Sequence, residues 1–260
     1  MTTSSIRPPR RGLLLLEGRA LFELAALLPA YPFLRRAPRG DGHPVLVFPG
    51  FMASDFSTRT LRAFLRGLGY RAHGWKLGRN VGPSPEVAAR MVERLQEIRR
   101  RYGRPVSLVG WSLGGIYARE LARRFVPDVR QVITLSSPFV DVEATNVPSY
   151  LRDRRRALPD EADYRDLLRA PLPMPMTALY SRTDGITAWE SCCVDEGPRS
   201  QSIEVASSHL GIGHHPVALL VIADRLAQPE HGWRRFEPPA GWRWPLAPRV
   251  HPLADAAKTG

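Results

Sequence analysis

Between residues 44 and 226 the chain alternates between two hydrophobic rhythms, and the alternation predicts a fold. Short runs dominated by apolar and β-branched residues, Val45–Phe48, Val106–Gly110, Val129–Leu135 and Met176–Tyr180, read as strands of a buried sheet. Between them lie segments whose apolar residues recur three and four apart, the spacing of one helix face. These are Thr58–Leu68, closed by Gly69; Glu86–Tyr102, with Val87, Met91, Leu95 and Ile98 on one stripe and Gly103 as the stop; Leu113–Phe125; and Val217–Leu226. Tyr70–Trp75 and Ile203–Val205 are shorter strands. Such alternation predicts an α/β fold, a mostly parallel doubly wound sheet flanked by helices.

The rhythm fails in three places. Leu13–Leu28 is strongly apolar, but Glu17, Arg19 and Glu23 interrupt it, and the uninterrupted run Leu13–Leu16 is too short to span a bilayer. No small-residue cleavage pattern follows, so the stretch reads as an amphipathic helix ended near Pro29, after a loose segment 1–12. It either packs on the body or makes a peripheral membrane contact. Residues 139–175 mix prolines with charges of both signs, and so long a stretch between two strands is expected to be a lid or cap insertion before the Met176 strand. From Pro229 the chain is rich in Pro, Trp and Arg. The expected division is an N-terminal tail and helix over 1–40, an α/β domain over 41–228 and a C-terminal tail over 229–260.

Composition trims the list of partners. With 260 residues and 43% hydrophobic content the chain can bury one large core. A net charge of +12 invites a nucleic acid, but the only lysines are Lys76 and Lys258, and the arginines are dispersed apart from 99–101 and 154–156. Without aromatic interleaving that pattern is a solvated surface, and no nucleic-acid partner is expected. Cys192 and Cys193 are adjacent and no third thiol exists, so a cytoplasmic, reducing setting is expected, with a membrane-peripheral position left open. No Cys/His zinc spacing occurs, and neither metal nor cofactor is expected.

The candidate chemistry centres on Val106–Gly115, where an apolar run enters Gly110-Trp111-Ser112-Leu113-Gly114 and a helical pattern leaves it. A strand-to-helix reversal this tight exposes Ser112 at its tip and makes it a candidate nucleophile. A serine hydroxyl needs a histidine to take its proton, and the histidine needs a carboxylate to fix its tautomer. Both must follow strands, at the carboxyl edge of the sheet. Asp184 follows the Met176–Tyr180 strand and precedes Gly185; Asp141 and Asp195 are less well placed rivals. His209 follows the Ile203–Val205 strand. His214 and His215 compete with it but open the last helix, where capping or packing is the simpler role. Two backbone N–H groups are also needed for an oxyanion: that of Leu113, after the nucleophile, and that of Phe51 or Met52 in the loop after the first strand, with Phe51 chosen.

Gly-Trp-Ser-Leu-Gly-Gly, Phe-Pro-Gly-Phe, Tyr-Ser-Arg-Thr-Asp-Gly and Ser-His-Leu-Gly together resemble bacterial lipase/esterase-like α/β-hydrolases, of the triacylglycerol-lipase and inositol-deacylase type, over about residues 43–228. The resemblance implies the α/β-hydrolase fold and a Ser112–Asp184–His209 triad with Phe51 and Leu113 as oxyanion donors. It also implies hydrolysis of small or lipidic carboxylic esters without a cofactor. One departure is Pro49-Gly50, where lipases commonly carry His-Gly. Thioesterase or acyltransferase chemistry would use the same triad, and a non-catalytic binding protein on this fold is the other class.

Overall fold

A computed structural model describes residues 6–148, 166–238 and 248–250. Seven strands form one sheet in the order β2-β1-β3-β4-β5-β6-β7. They are β1 (Pro44–Phe48), β2 (Arg71–Gly74), β3 (Val106–Trp111), β4 (Val129–Leu135), β5 (Met176–Tyr180), β6 (Ser200–Glu204) and β7 (Arg249–Val250). The first six are parallel, and β7 pairs antiparallel with β6, Ile203 opposite Val250. The expected α/β architecture, a mostly parallel doubly wound sheet, is present. The chain reverses direction across the sheet between β1 and β3, whose carboxyl ends align with Phe48 opposite Gly110. That switch point opens a crevice at the sheet edge.

Strand side chains alternate between two cores. Val45, Val47, Val109, Ile133 and Leu179 pack with α3 (Arg59–Gly67) and α6 (Pro216–Leu226) on one face. Leu46, Phe48, Leu108 and Val132 pack with α4 (Pro85–Tyr102) and α5 (Leu113–Arg124) on the other. Each fully buried Val, Leu or Ile contributes about 1.5–3 kcal/mol, so the two cores hold the sheet edge that carries the site. Helix α4 shows why its bounds were readable. Ser84 Oγ accepts from the Val87 N–H at 3.2 Å, Pro85 takes the first position, and Gly103 closes it at φ 63°. Arg99, Arg100 and Arg101 occupy its last turn, where they complement the helix dipole.

The N-terminal segment departs from expectation. Instead of one helix ending near Pro29, a 3₁₀ stretch Arg11–Arg19 leads into α1 (Ala20–Ala25), and α2 (Leu27–Leu34) runs on through Pro29 and Pro32. A proline ring clashes with the carbonyl four residues back, which for Pro29 is that of Ala25, so the break falls at Ala26. The polar face points inward: Glu17 and Glu23 are buried while most leucines face out. The strand placed at Ile203–Val205 is Ser200–Glu204. Beyond Pro229 the tail joins the body, with Phe236 buried and its backbone N–H and C=O both bonded to the Gln201 side chain. The middle of the expected lid, 149–165, lies outside the described residues. Its flanks pack on the body, Thr145 bridging to Thr187 and Leu168 buried.

Candidate active site

Ser112 stands between β3 and α5 with φ 52° and ψ −123°, a conformation rarely held by a residue with a side chain and costing roughly 1–3 kcal/mol. The strain is held by its surroundings: the Ser112 N–H extends the ladder to the Leu135 carbonyl at 2.8 Å. A Cβ on Gly114 would lie 2.6 Å from the Phe48 carbonyl oxygen, so only glycine lets the first turn of α5 sit against the end of β1. The positive end of α5 is thereby aimed at the serine and at the loop that follows β1.

Asp184 and His209 are joined and buried, Oδ2 accepting from Nδ1 at 2.7 Å. Three more donors hold the carboxylate: the Ile186 and Thr187 N–H groups at 2.8 Å each on Oδ1, and the Thr187 hydroxyl at 3.0 Å on Oδ2. Burial alone would raise the Asp184 pKa; the His209 charge and these hydrogen bonds outweigh it and hold it below the ordinary aspartate value. Burial alone would lower the His209 pKa; the Asp184 charge, their hydrogen bond and the Glu17 charge outweigh it and hold it above the ordinary histidine value. The Trp111 indole donates to the His209 carbonyl at 3.0 Å, tying the base loop to the residue before the serine.

The loop after β1 abuts the nucleophile, since a Cβ on Gly50 would lie 3.2 Å from Ser112 Cβ. The Met52 N–H, the alternative oxyanion donor, is committed to the Asn80 carbonyl at 2.7 Å. Leu113 opens α5, where a backbone N–H has no carbonyl within the helix to bond. Asn80, to which the sequence assigned no role, is fully buried and clamps this loop. Its Nδ2 donates to the Pro49 carbonyl at 2.9 Å and its N–H to that of Ala53 at 2.8 Å.

A second set of groups missed in the sequence comes from the N-terminal segment. Glu17 accepts from the N–H groups of Gly185 at 2.8 Å, His209 at 3.1 Å and Leu210 at 3.0 Å. Glu23 accepts from the Ser208 N–H at 2.8 Å and hydroxyl at 2.6 Å. Arg19 bridges Glu23 to Thr183, donating to its hydroxyl at 2.7 Å and its carbonyl at 3.1 Å. Two acids within an otherwise apolar run were the available signal.

Ser112, His209, Phe51 and Leu113 line one cavity of about 100 Å³, with Ile116, Val147, Ile186 and Leu210 on its apolar walls. The structure thus brings all five candidate residues to one edge, Asp184 from behind His209. No hydrogen bond joins Ser112 to His209 among the described residues; such bonds often tighten only on substrate binding. The rivals lie elsewhere in role: Asp141 accepts from the Glu143 N–H in its own turn, His214 bonds the Ala20 carbonyl, and His215 precedes the first residue of α6 without a side-chain capping bond. A second Asp–His–Ser chain is also present, His43 between Asp41 at 2.5 Å and Ser107 at 2.8 Å. His43 and Ser107 are fully buried at the amino ends of β1 and β3, opposite the crevice edge, and Arg104 and Arg130 hold Asp41. It is an internal brace.

No protein-family model matches this sequence, and no curated protein does. Solved structures are similar in fold. Aspergillus fumigatus lipase B aligns at TM-score 0.54 and 17% identity over 72% of this chain and 53% of that one, so this chain spans about half of that enzyme's length. The mature Bacillus licheniformis lipase BlEst2 aligns at 0.51 and 17% over 73% and 94%. An alpha/beta superfamily hydrolase from Oenococcus oeni aligns at 0.53 and 15% over 71% and 91%. The chain therefore has the α/β-hydrolase fold.

Proposed function

We propose that this protein is a serine hydrolase that cleaves carboxylic esters through an acyl-enzyme, with Ser112 as nucleophile, His209 as base and Asp184 as orienting acid. The observation that carries the reading is the strained Ser112 at the amino end of α5, sharing one cavity with a histidine whose far nitrogen is bonded to a buried carboxylate.

In this mechanism His209 Nε2 takes the Ser112 hydroxyl proton as Oγ adds to the ester carbonyl. Asp184 holds the other ring N–H and stabilises the imidazolium. The Leu113 and Phe51 N–H groups bind the oxyanion, each contributing on the order of 3 kcal/mol. The tetrahedral intermediate collapses, His209 protonates the departing alcohol, and an acyl-Ser112 ester remains. Water, deprotonated by His209, then adds to that ester and releases the acid, returning the proton to Ser112.

The apolar cavity walls favour an apolar acyl group. Its volume is below the roughly 150 Å³ that holds one benzene molecule. A short acyl chain fits within it, and a longer lipidic one extends through the mouth. The two free cysteines suit the cytoplasmic setting we assign to it. A fluorophosphonate probe tests the reading: covalent labelling of the wild type that is lost in Ser112→Ala supports it, and labelling that survives the substitution removes Ser112 as nucleophile.

A further inference from the structure

Amphipathic segments of soluble domains bury their apolar side; here Leu27, Ala30 and Leu34 do pack on the core, but over residues 11–25 the polar side is the buried one and much of the apolar surface of 11–34 faces out. Glu17 is 6% exposed and Glu23 8%, while Leu15 is 86%, Phe22 78% and Leu28 82% exposed. Leu21, Tyr31 and Phe33 continue the outward apolar face. Around Glu17 and Glu23 the inversion has a physical cause: the buried carboxylates satisfy backbone N–H groups of the loops bearing Asp184 and His209, so the inner side there must be polar. The outer side has no such role: a row of exposed leucines and aromatics costs solubility, and Leu15, Phe22 and Leu28 each stay more than three-quarters exposed.

The charge around this face specifies an occupant. Glu17 and Glu23 are the only acidic residues between 6 and 40, and both are turned inward. Arg7, Arg10 and Arg11 stand exposed at one end, and Arg35, Arg36 and Arg39 at the other. Arg35 lies over the Tyr31 ring, 5.8 Å from its centroid. Asp224 and Glu237 approach only the Phe33 end of this face, beside Arg36; apolar residues flanked by arginine, with no exposed acid within residues 6–40, match the boundary between acyl chains and anionic headgroups. Among the described residues no helix is long and apolar enough to cross a membrane, so the contact lies in the surface plane.

We propose that the outward face of residues 11–34 docks on an anionic phospholipid bilayer. The same segment binds the loops of Asp184 and His209 with its inner face, and Leu210, whose N–H it holds, lines the cavity. Docking therefore sets the mouth of the cavity beside the lipid. The proposal goes beyond the assignment of ester hydrolysis, and vesicle binding reads it without substrate.

The test is sedimentation of the full chain with sucrose-loaded vesicles. The wild type is expected to pellet with vesicles containing phosphatidylglycerol, less so at high salt, and to stay in solution with pure phosphatidylcholine. Leu21→Asp with Phe22→Asp is expected to cut the bound fraction at least tenfold, with circular dichroism and melting temperature unchanged. If that pair fails to fold, Leu28→Asp carries the same expectation. Arg35→Glu with Arg36→Glu should weaken binding to the anionic vesicles. Failure of the wild type to pellet, or pelleting undiminished in the folded apolar variants, overturns the proposal. A dimer in solution that the same variants dissociate, without vesicle binding, gives this face to a second copy and overturns it too.

Discussion

Glu17 and His209 lie 192 residues apart in the chain and meet at 3.1 Å, the Glu17 carboxylate accepting the His209 backbone N–H. The same oxygen accepts the Gly185 N–H at 2.8 Å, next to Asp184. One buried side chain thus sets the spacing of the two loops that carry the acid and the base. Its charge also helps to raise the His209 pKa.

Glu17→Gln keeps the shape but turns a donor amide toward at least one of three N–H groups. Loss of charge-assisted bonds should cost about 2–3 kcal/mol of stability and roughly 10- to 100-fold in kcat. Denaturation and steady-state kinetics measure both. A further readout separates positioning from folding: without the Glu17 charge, the acid limb of the kcat/KM profile should move to lower pH.

The base works only when neutral. Because the His209 pKa is raised, the acid limb of kcat/KM for a soluble ester should have its midpoint above 6.5. Asp184→Asn removes the largest upward influence, so the midpoint should fall. The rate should fall on the order of 10⁴-fold, since the amide no longer fixes the required tautomer. A pH–rate series on both proteins decides it.

Asn80→Ala removes the clamp on the loop after β1 and leaves the Pro49 carbonyl without its 2.9 Å partner. Stability should fall by about 1–3 kcal/mol, and kcat by roughly 10- to 100-fold with KM little changed, because oxyanion donors act on the transition state. Michaelis parameters for one ester measure the split.

His43 predicts an acid sensitivity remote from catalysis. Burial and the Arg130 charge, against the opposing pull of Asp41, push its pKa down to about 4. The unfolded chain, titrating near 6.5, takes up a proton that the folded chain refuses. Stability should therefore decline from pH 6.5 toward 4, by up to about 3 kcal/mol. Urea midpoints across that range should flatten in His43→Gln.

The legible parts of this molecule are those where periodicity and local chemistry agree. The strand Val45–Phe48 is apolar throughout, and Val129–Leu135 and Met176–Tyr180 largely so, because both faces are covered, and α4 carries its own cap and stop. Ser112, Asp184 and His209 could be placed because each follows a strand at the edge where the crevice opens. β6 was misplaced because its first residues are polar and buried: Gln201 bonds the Phe236 backbone and Ser202 that of Val194. Glu17, Glu23 and Asn80 stayed hidden for the same reason. Each satisfies a backbone group far away in the chain, and no local pattern announces such a partner. The N-terminal segment departs most, since around Glu17 and Glu23 it packs by its polar side, while only Leu27, Ala30 and Leu34 pack as an apolar stripe would.

The central claim is that Ser112 is the nucleophile of an ester hydrolase, and hydrolysis of p-nitrophenyl butyrate by the wild type and by Ser112→Ala tests it most directly. Release of p-nitrophenolate by the wild type, reduced at least about 10³-fold in the variant with the fold unchanged, is the predicted result. Equal rates in the two proteins, or no hydrolysis by the wild type of this or longer p-nitrophenyl esters, would contradict it.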